Sequence, residues 1–276
     1  RPARRNRAHA RTAGPTPGTI AAPSHRPVAA RRAECPRTQS PPVQTGSTQP
    51  SHTHTGGISN PASPAVLAPF DIVHAKITTD GNAAVFHMAV SGKAGATRPI
   101  PTGQFAGSEV FSYVWPTTID PFEVGFDRDA GILAAAVTSH PDFDDTPLFD
   151  ETHDGDRTND GGVWHMHWVV LGPDDVCGKG ALKVIDIPEG RKPRLPKTWP
   201  GVPIHIDSPG WQPQLDRDTV EVRVPFDDIG IVEAARFDGV TAGLRVSASA
   251  HAPLLCVANV FEVASGDLSL PGKPNQ

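Results

Sequence analysis

The sequence predicts an all-β fold: an antiparallel β-sandwich of about nine strands with long Pro-rich and acidic loops, preceded by a disordered N-terminal tail. Three observations predict it. Short runs rich in β-branched and aromatic residues recur from residue 65 onward, turn residues separate them at fairly regular intervals, and no segment sustains a 3.6-residue apolar rhythm.

Residues 1–64 come first and behave differently from the rest. They carry eleven prolines and almost no apolar periodicity, so they cannot bury enough apolar surface to offset their ordering entropy. The expected division is therefore a tail over 1–64 and one domain over 65–276. Charge divides the same way. Residues 1–60 hold nine Arg, no Lys and one acid, Glu34, a balance of +8, which leaves −13 on the remainder of a chain whose net charge is −5. The acidic domain argues against nucleic acid as a partner, since phosphate would repel it at short range. No run of about 18 apolar residues exists, so no membrane-spanning helix is expected.

The first strand pair runs from Phe70 to Thr79 and from Ala83 to Ser91, and the Asp-Gly at its junction favours the positive φ of a tight hairpin. Further strands are expected at Glu109–Trp115, Gly131–Ser139, Val163–Leu171, Ala181–Ile187, Thr219–Phe226, Val240–Ala250 and Leu254–Val263. Pro188 to Pro213 reads as a long loop laid over the surface, with Trp199 and Trp211 available either to pin it to the core or to stack on a sugar. Cys177 and Cys256 can form one disulfide in an oxidising compartment or remain two buried thiols, and Cys35 falls in the tail. There is no C-x-x-C and hence no thiolate zinc site; G-x-S-x-G, H-E-x-x-H, phosphate-loop and dinucleotide patterns are also missing.

The chemistry concentrates in Val163-Trp164-His165-Met166-His167-Trp168-Val169-Val170-Leu171. Strand side chains alternate faces, so His165 and His167 point one way while Trp164, Met166 and Trp168 point the other. Two imidazoles so placed can share one metal ion with a third ligand from a neighbouring strand. His251 is the first choice for that ligand, because Ser247, Ser249 and His251 share one strand face; His87 is the reserve, with His74 beside it. Three imidazoles without thiolate suit copper or zinc rather than calcium. Immediately upstream, Asp150-x-Thr152-x-Asp154-Gly155 and Asp156-x-Thr158-x-Asp160-Gly161 repeat the alternate-oxygen spacing with a glycine turn that wraps hard cations. Asp150, Asp154, Asp156 and Asp160 are thus candidate calcium ligands.

Two resemblances rest on these segments. FDIVHAKITTDGNAAVFHMAVSG and TVEVRVPFDDIG look like strands of sandwich domains related to DOMON and family 9 carbohydrate-binding modules. The run TSHPDFDDTPLFDETHDGDRTNDGGVWHMHWVVL, residues 138–171, resembles the surface-associated copper-binding proteins of methanotrophs, the MopE/CorA group. That resemblance implies an extracytoplasmic protein with a mononuclear, mostly cuprous copper site, formed by two histidines and a kynurenine derived from tryptophan, with calcium nearby. His167 and His251 match the two histidines. At the place of the oxidised tryptophan this chain carries His165, so the expected centre is His165, His167 and His251. The expectation is a copper-binding protein for sequestration or delivery, braced by calcium and without enzymatic turnover. The alternatives are a haem-binding DOMON-like electron-transfer domain using Met88 or Met166 with His251, and a carbohydrate-binding module using Trp199 and Trp211.

Overall fold

The computed structural model describes residues 56–102, 106–141, 150–247 and 254–276. Most of the expected tail, residues 1–55, lies outside them. The chain is nearly all β: β1 (Ile58–Ser59), β2 (Ile72–Asp80), β3 (Ala83–Val90), β4 (Glu109–Pro116), β5 (Ile132–Ser139), β6 (His165–Pro173), β7 (Leu182–Val184), β8 (Ile206–Asp207), β9 (Gln214–Asp216), β10 (Thr219–Pro225), β11 (Val240–Val246) and β12 (Leu255–Val263). One five-residue α-helix, Ile229–Glu233, is capped by the Asp228 carboxylate, which accepts from Gly230 N. All nine expected strands are present. The sequence reading passes over three short ones, β1, β8 and β9, each of two or three residues. Two or three residues are too few for a period-2 pattern to register. β1 also moves the start of the folded part: Ile58 and Ser59 pair with Ala75 and His74 of β2, inside the span expected to be tail.

The strands form two antiparallel sheets. One has the order β1-β2-β3-β10-β9. Its β2–β3 hairpin turns at Gly81, φ 61, where a side chain would be strained. In the other, β5-β4-β11-β12-β7-β6 closes on itself because β5 also pairs with β6, and β8 lies along β6. This second sheet is a barrel, a closure beyond the open sandwich expected from the sequence. Bulges between Thr241 and Ala242 and between Gly243 and Leu244, on the β11–β12 pairing, help it coil.

The wall β4-β5-β6 is buried on both faces, which explains its nearly continuous apolar sequence. Outward, Tyr113, Trp115, Leu133, Val137, Met166 and Trp168 pack against Ile77, Phe86, Met88 and Val222 of the five-stranded sheet. Trp168 sits edge-on to Phe86 and Phe226, with ring centroids 5.8 and 6.2 Å away. Inward, Val110, Val114, Ala136, Val169, Leu171 and Leu244 line the barrel.

Cys177 and Cys256 form a disulfide, Cα to Cα 5.4 Å, across 79 residues of chain. It reinforces the weakest seam of the barrel, since β12 and β7 share the single register pair Cys256 and Lys183. In the chain-entropy picture a loop of this length contributes about 4–5 kcal/mol. Cys256→Ser is therefore expected to lower the melting temperature by roughly 10–15 °C at about 2–4 °C per kcal/mol for a domain of this size. Differential scanning calorimetry of the oxidised wild type and the variant checks this, and equal midpoints would show that the seam does not depend on the bridge.

Candidate metal centre

β6 behaves as its alternation requires. Trp164, Met166 and Trp168 enter the core between the sheets, and His165 and His167 turn toward the barrel interior, 1 % and 2 % exposed. Register then brings in a residue that the sequence reading omits. Thr138 of β5 lies opposite His165 and Ala136 opposite His167. Two residues past Thr138, His140 continues the same face just beyond the end of the strand and meets His165 with the two Nε2 atoms 3.0 Å apart. The fourth member is Glu151, from the acidic loop. Its Oε2 lies 3.2 Å from His140 Nε2 and 3.1 Å from His165 Nε2, and its Oε1 lies 3.8 Å from His167 Nε2. Among the described residues, His140, Glu151, His165 and His167 are the group of three or more His, Cys, Asp and Glu residues whose donor atoms lie within 4.8 Å of one another.

The backbone sets the tautomer of each imidazole. His140 Nδ1 is 3.0 Å from Pro141 O, His165 Nδ1 is 3.1 Å from Val163 O, and His167 Nδ1 is 3.1 Å from Asp207 O and 3.0 Å from Ser208 Oγ. A carbonyl only accepts, so each Nδ1 carries the hydrogen and each Nε2 presents a lone pair. Three lone pairs and a carboxylate then converge on one point. A metal ion, or protons on Nε2, can relieve that arrangement, and outer hydrogen bonds of this kind orient metal-binding histidines. β8, in the middle of the long Pro-rich loop, supplies the partner of His167, which gives that loop a structural role at the site.

Electrostatics agree with this assignment. Burial pushes the His167 imidazole down to about 3, with the neighbouring His165 and His140 adding to the effect, so it is neutral and ready to ligate at ordinary pH. Burial works to raise the Glu151 carboxyl. Charge on the His140 and His165 rings and hydrogen bonds from them outweigh that effect and hold it well below the usual carboxylate range; this requires protons on Nε2 in the metal-free protein, at the positions a metal ion would take.

Of the other residues singled out from the sequence, those that are described lie outside the cluster. His87 is on β3 between Phe86 and Met88, which face the core, so its own side chain faces the opposite surface and meets Glu221 Oε2 at 3.3 Å. It is not in the cluster, because β3 belongs to the five-stranded sheet and the cluster forms on the barrel. His74, on β2 of the same sheet, contacts Gly56 O. His251 lies outside the described residues.

The four aspartates are not gathered around a common point. Asp150 accepts from the amides of Asp154 and Gly155, Asp154 from Asp156 N and Asn159 Nδ2, and Asp156 from the amide and hydroxyl of Thr158. The loop's own donors thus bond both oxygens of Asp150 and Asp154 and one of Asp156. Asp160 has a different part: it is buried, and its Oδ2 accepts from the Glu151 amide at 2.9 Å, which places the Glu151 carboxylate. Of the residues of the alternatives, Met88 and Met166 are enclosed in the core, Trp199 donates to Ile204 O within its own loop, and Trp211 packs against the core.

His140 left a trace in the sequence, since Thr138-Ser139-His140-Pro141 ends a strand two residues past an inward-facing threonine. Glu151 left none. It stands in an acidic loop, where carboxylates are ordinarily solvated.

Fold and site together define a protein with a closed β-barrel and a candidate mononuclear metal centre of three histidines and one glutamate at the barrel wall. Compared with protein-family models, with curated proteins and with solved structures, the chain matches none.

Proposed function

We propose that this protein binds and retains one divalent transition-metal ion, copper(II) first among them, through His140, His165, His167 and Glu151. The observation that carries the reading is the trio of Nε2 lone pairs, each fixed by a backbone carbonyl, converging with a carboxylate. The donor set suits copper, zinc, iron or nickel, and copper(II) stands at the top of the affinity order for nitrogen and oxygen ligands. Donors about 2.0–2.2 Å from an ion are about 2.8–3.1 Å apart at right angles and about 3.3–3.6 Å apart in a tetrahedron, so contacts of 3.0, 3.1 and 3.2 Å among His140, His165 and Glu151 are of the size that one such ion bridges. A carboxylate in the set favours the cupric state over the cuprous state implied by the resemblance.

Near-complete burial of His165 and His167 supports retention rather than rapid exchange. The disulfide supports an oxidising, extracytoplasmic location. Among the described residues no helix is long and apolar enough to cross a membrane. The chemistry a bound copper(II) supplies is Lewis acidity and one-electron exchange; the chain's own residues orient it and limit water around it.

The test is metal analysis and electron paramagnetic resonance of the full chain after equilibration with equimolar copper and zinc. About one copper per chain is expected, with nitrogen hyperfine structure, falling below about a tenth in His165→Ala/His167→Ala and unchanged in His87→Ala. Wild-type copper no higher than in the double variant would overturn the proposal.

A further inference from the structure

The barrel interior holds a cavity of about 440 Å³. Its lining divides into two chemically distinct parts. Val110, Val114, Val169, Leu171, Leu244 and Val257 are among the aliphatic side chains that make up most of the wall, while Thr138, His140, Glu151 and His167 gather where the metal donors are. The polar group in the middle of the wall, Ser112 Oγ, already donates to Ala242 O at 3.0 Å. Side chains in the core between the sheets, such as Phe86, Trp115 and Trp168, have no accessible surface, whereas Val114, Val240 and Leu244 retain 8–9 % although they are enclosed by strands. The difference means that the inner side chains face an unfilled space rather than one another. The cavity also reaches solvent, since Val260, 55 % exposed, is part of its wall.

Charge restricts what belongs there. A divalent ion with three neutral imidazoles and one carboxylate leaves the site at +1, in surroundings where unbalanced charge is costly. A monoanionic head group neutralises it and occupies an open coordination position. Size bounds the rest of the molecule: at about 30 Å³ per heavy atom the cavity holds at most about fifteen heavy atoms, so an eight-carbon carboxylate of about ten fits with space to spare. We infer that the barrel binds an aliphatic monocarboxylate of about eight carbons, its carboxylate on the metal at the His140/Glu151/His167 end and its chain along the valine and leucine wall. The inference rests on the metal-binding reading above and adds the class of ligand that the centre takes.

The experiment titrates acetate, butyrate, hexanoate, octanoate and decanoate into the copper-loaded full chain, read by isothermal calorimetry and by the copper resonance. Affinity is expected to rise about fourfold per methylene, so that octanoate binds at least about 100 times more tightly than butyrate, and then to level off as the cavity fills. Octanoate is expected to shift the copper hyperfine splitting and to bind at least about tenfold more weakly to the metal-free protein. Ala136→Leu and Ala242→Leu, which narrow the lumen, are each expected to weaken octanoate binding while copper stoichiometry stays at the wild-type value; the chain-length series on the unaltered protein stands if either variant fails to fold. Copper bound normally with no chain-length dependence, or octanoate binding with an unchanged copper spectrum, would overturn this inference and leave the metal site in place. Failure to bind copper at all would overturn both.

Discussion

His140→Ala is expected to lower the affinity for copper(II) by at least about 100-fold, although the sequence pattern points to other histidines first. Loss of an outer hydrogen-bonding partner of a ligand already costs about 10–100-fold, and His140 supplies a donor atom itself. Its Nε2 is one corner of the triangle with His165 and Glu151, so removing it leaves a gap on the metal and exposes the centre to water. Glu151→Gln is expected to be at least as damaging, because it keeps the shape and removes the one negative charge in the set. Asp160→Ala should cost less, about tenfold, since Asp160 acts by holding the Glu151 amide in place. Competition titrations against a chelator of known affinity give this order directly. Wild-type affinity in His140→Ala would show that the four-residue set is wrong.

The second large effect is acid sensitivity of the metal-free protein. His167 has its pKa in the folded state at about 3 because burial disfavours the charged ring, against an ordinary value of 6.5. As pH falls through 6.5 the unfolded chain takes up a proton that the folded chain refuses until about 3. Stability from this group is therefore complete above about 6.5 and is lost progressively between 6.5 and 3. The interval corresponds to at most about 5 kcal/mol at 1.36 kcal/mol per unit. Glu151 acts in the same direction, since its lowered carboxyl contributes stability above the ordinary carboxylate range and loses it as pH falls. Denaturant midpoints of the metal-free wild type at pH 7.5, 6, 5 and 4 should fall steadily. His167→Leu, which places an aliphatic side chain beside Val169 in an apolar wall, should flatten the upper part of that decline. Copper should move the whole loss to lower pH, because an ion that binds only the folded state stabilises it and protons must displace it. An acid profile in His167→Leu identical to the wild type would assign the sensitivity elsewhere.

Burial and retention fit together in this centre. The ligand strand β6 is paired on both edges and enclosed on both faces, so His165 and His167 cannot swing away without opening the barrel. Glu151 comes from a loop, but one tied to the scaffold: Gly162 N donates to His140 O at 2.8 Å, and Gln212 Nε2 reaches Thr152 O at 2.8 Å. A rigid strand pair thus supplies three ligands and a braced loop supplies the fourth, the arrangement that preorganises a site.

What could be read from the sequence follows from the range of each interaction. Alternation along a strand is local, so the run from Trp164 to Trp168 by itself determined that His165 and His167 share a face and that Met166 belongs to the core. The eight strands of seven to nine residues were legible for the same reason, as were the short β7 and the Asp80-Gly81 turn. The spacing of the candidate aspartates is shared by cation loops and by loops whose carboxylates bond their own amides, so it does not separate the two. His87 was misplaced because strand parity does not say which sheet a strand joins. Only the tertiary structure decided that β5 lies beside β6 with Thr138 opposite His165, which brings in His140, and that residues 150–162 fold back to deliver Glu151. Closure of the barrel was likewise invisible, since it depends on pairing between strands separated by the whole acidic loop, and the backbone period is the same in a closed sheet and an open one. Sequence set the faces of the strands, and long-range register and closure set which faces meet at the metal.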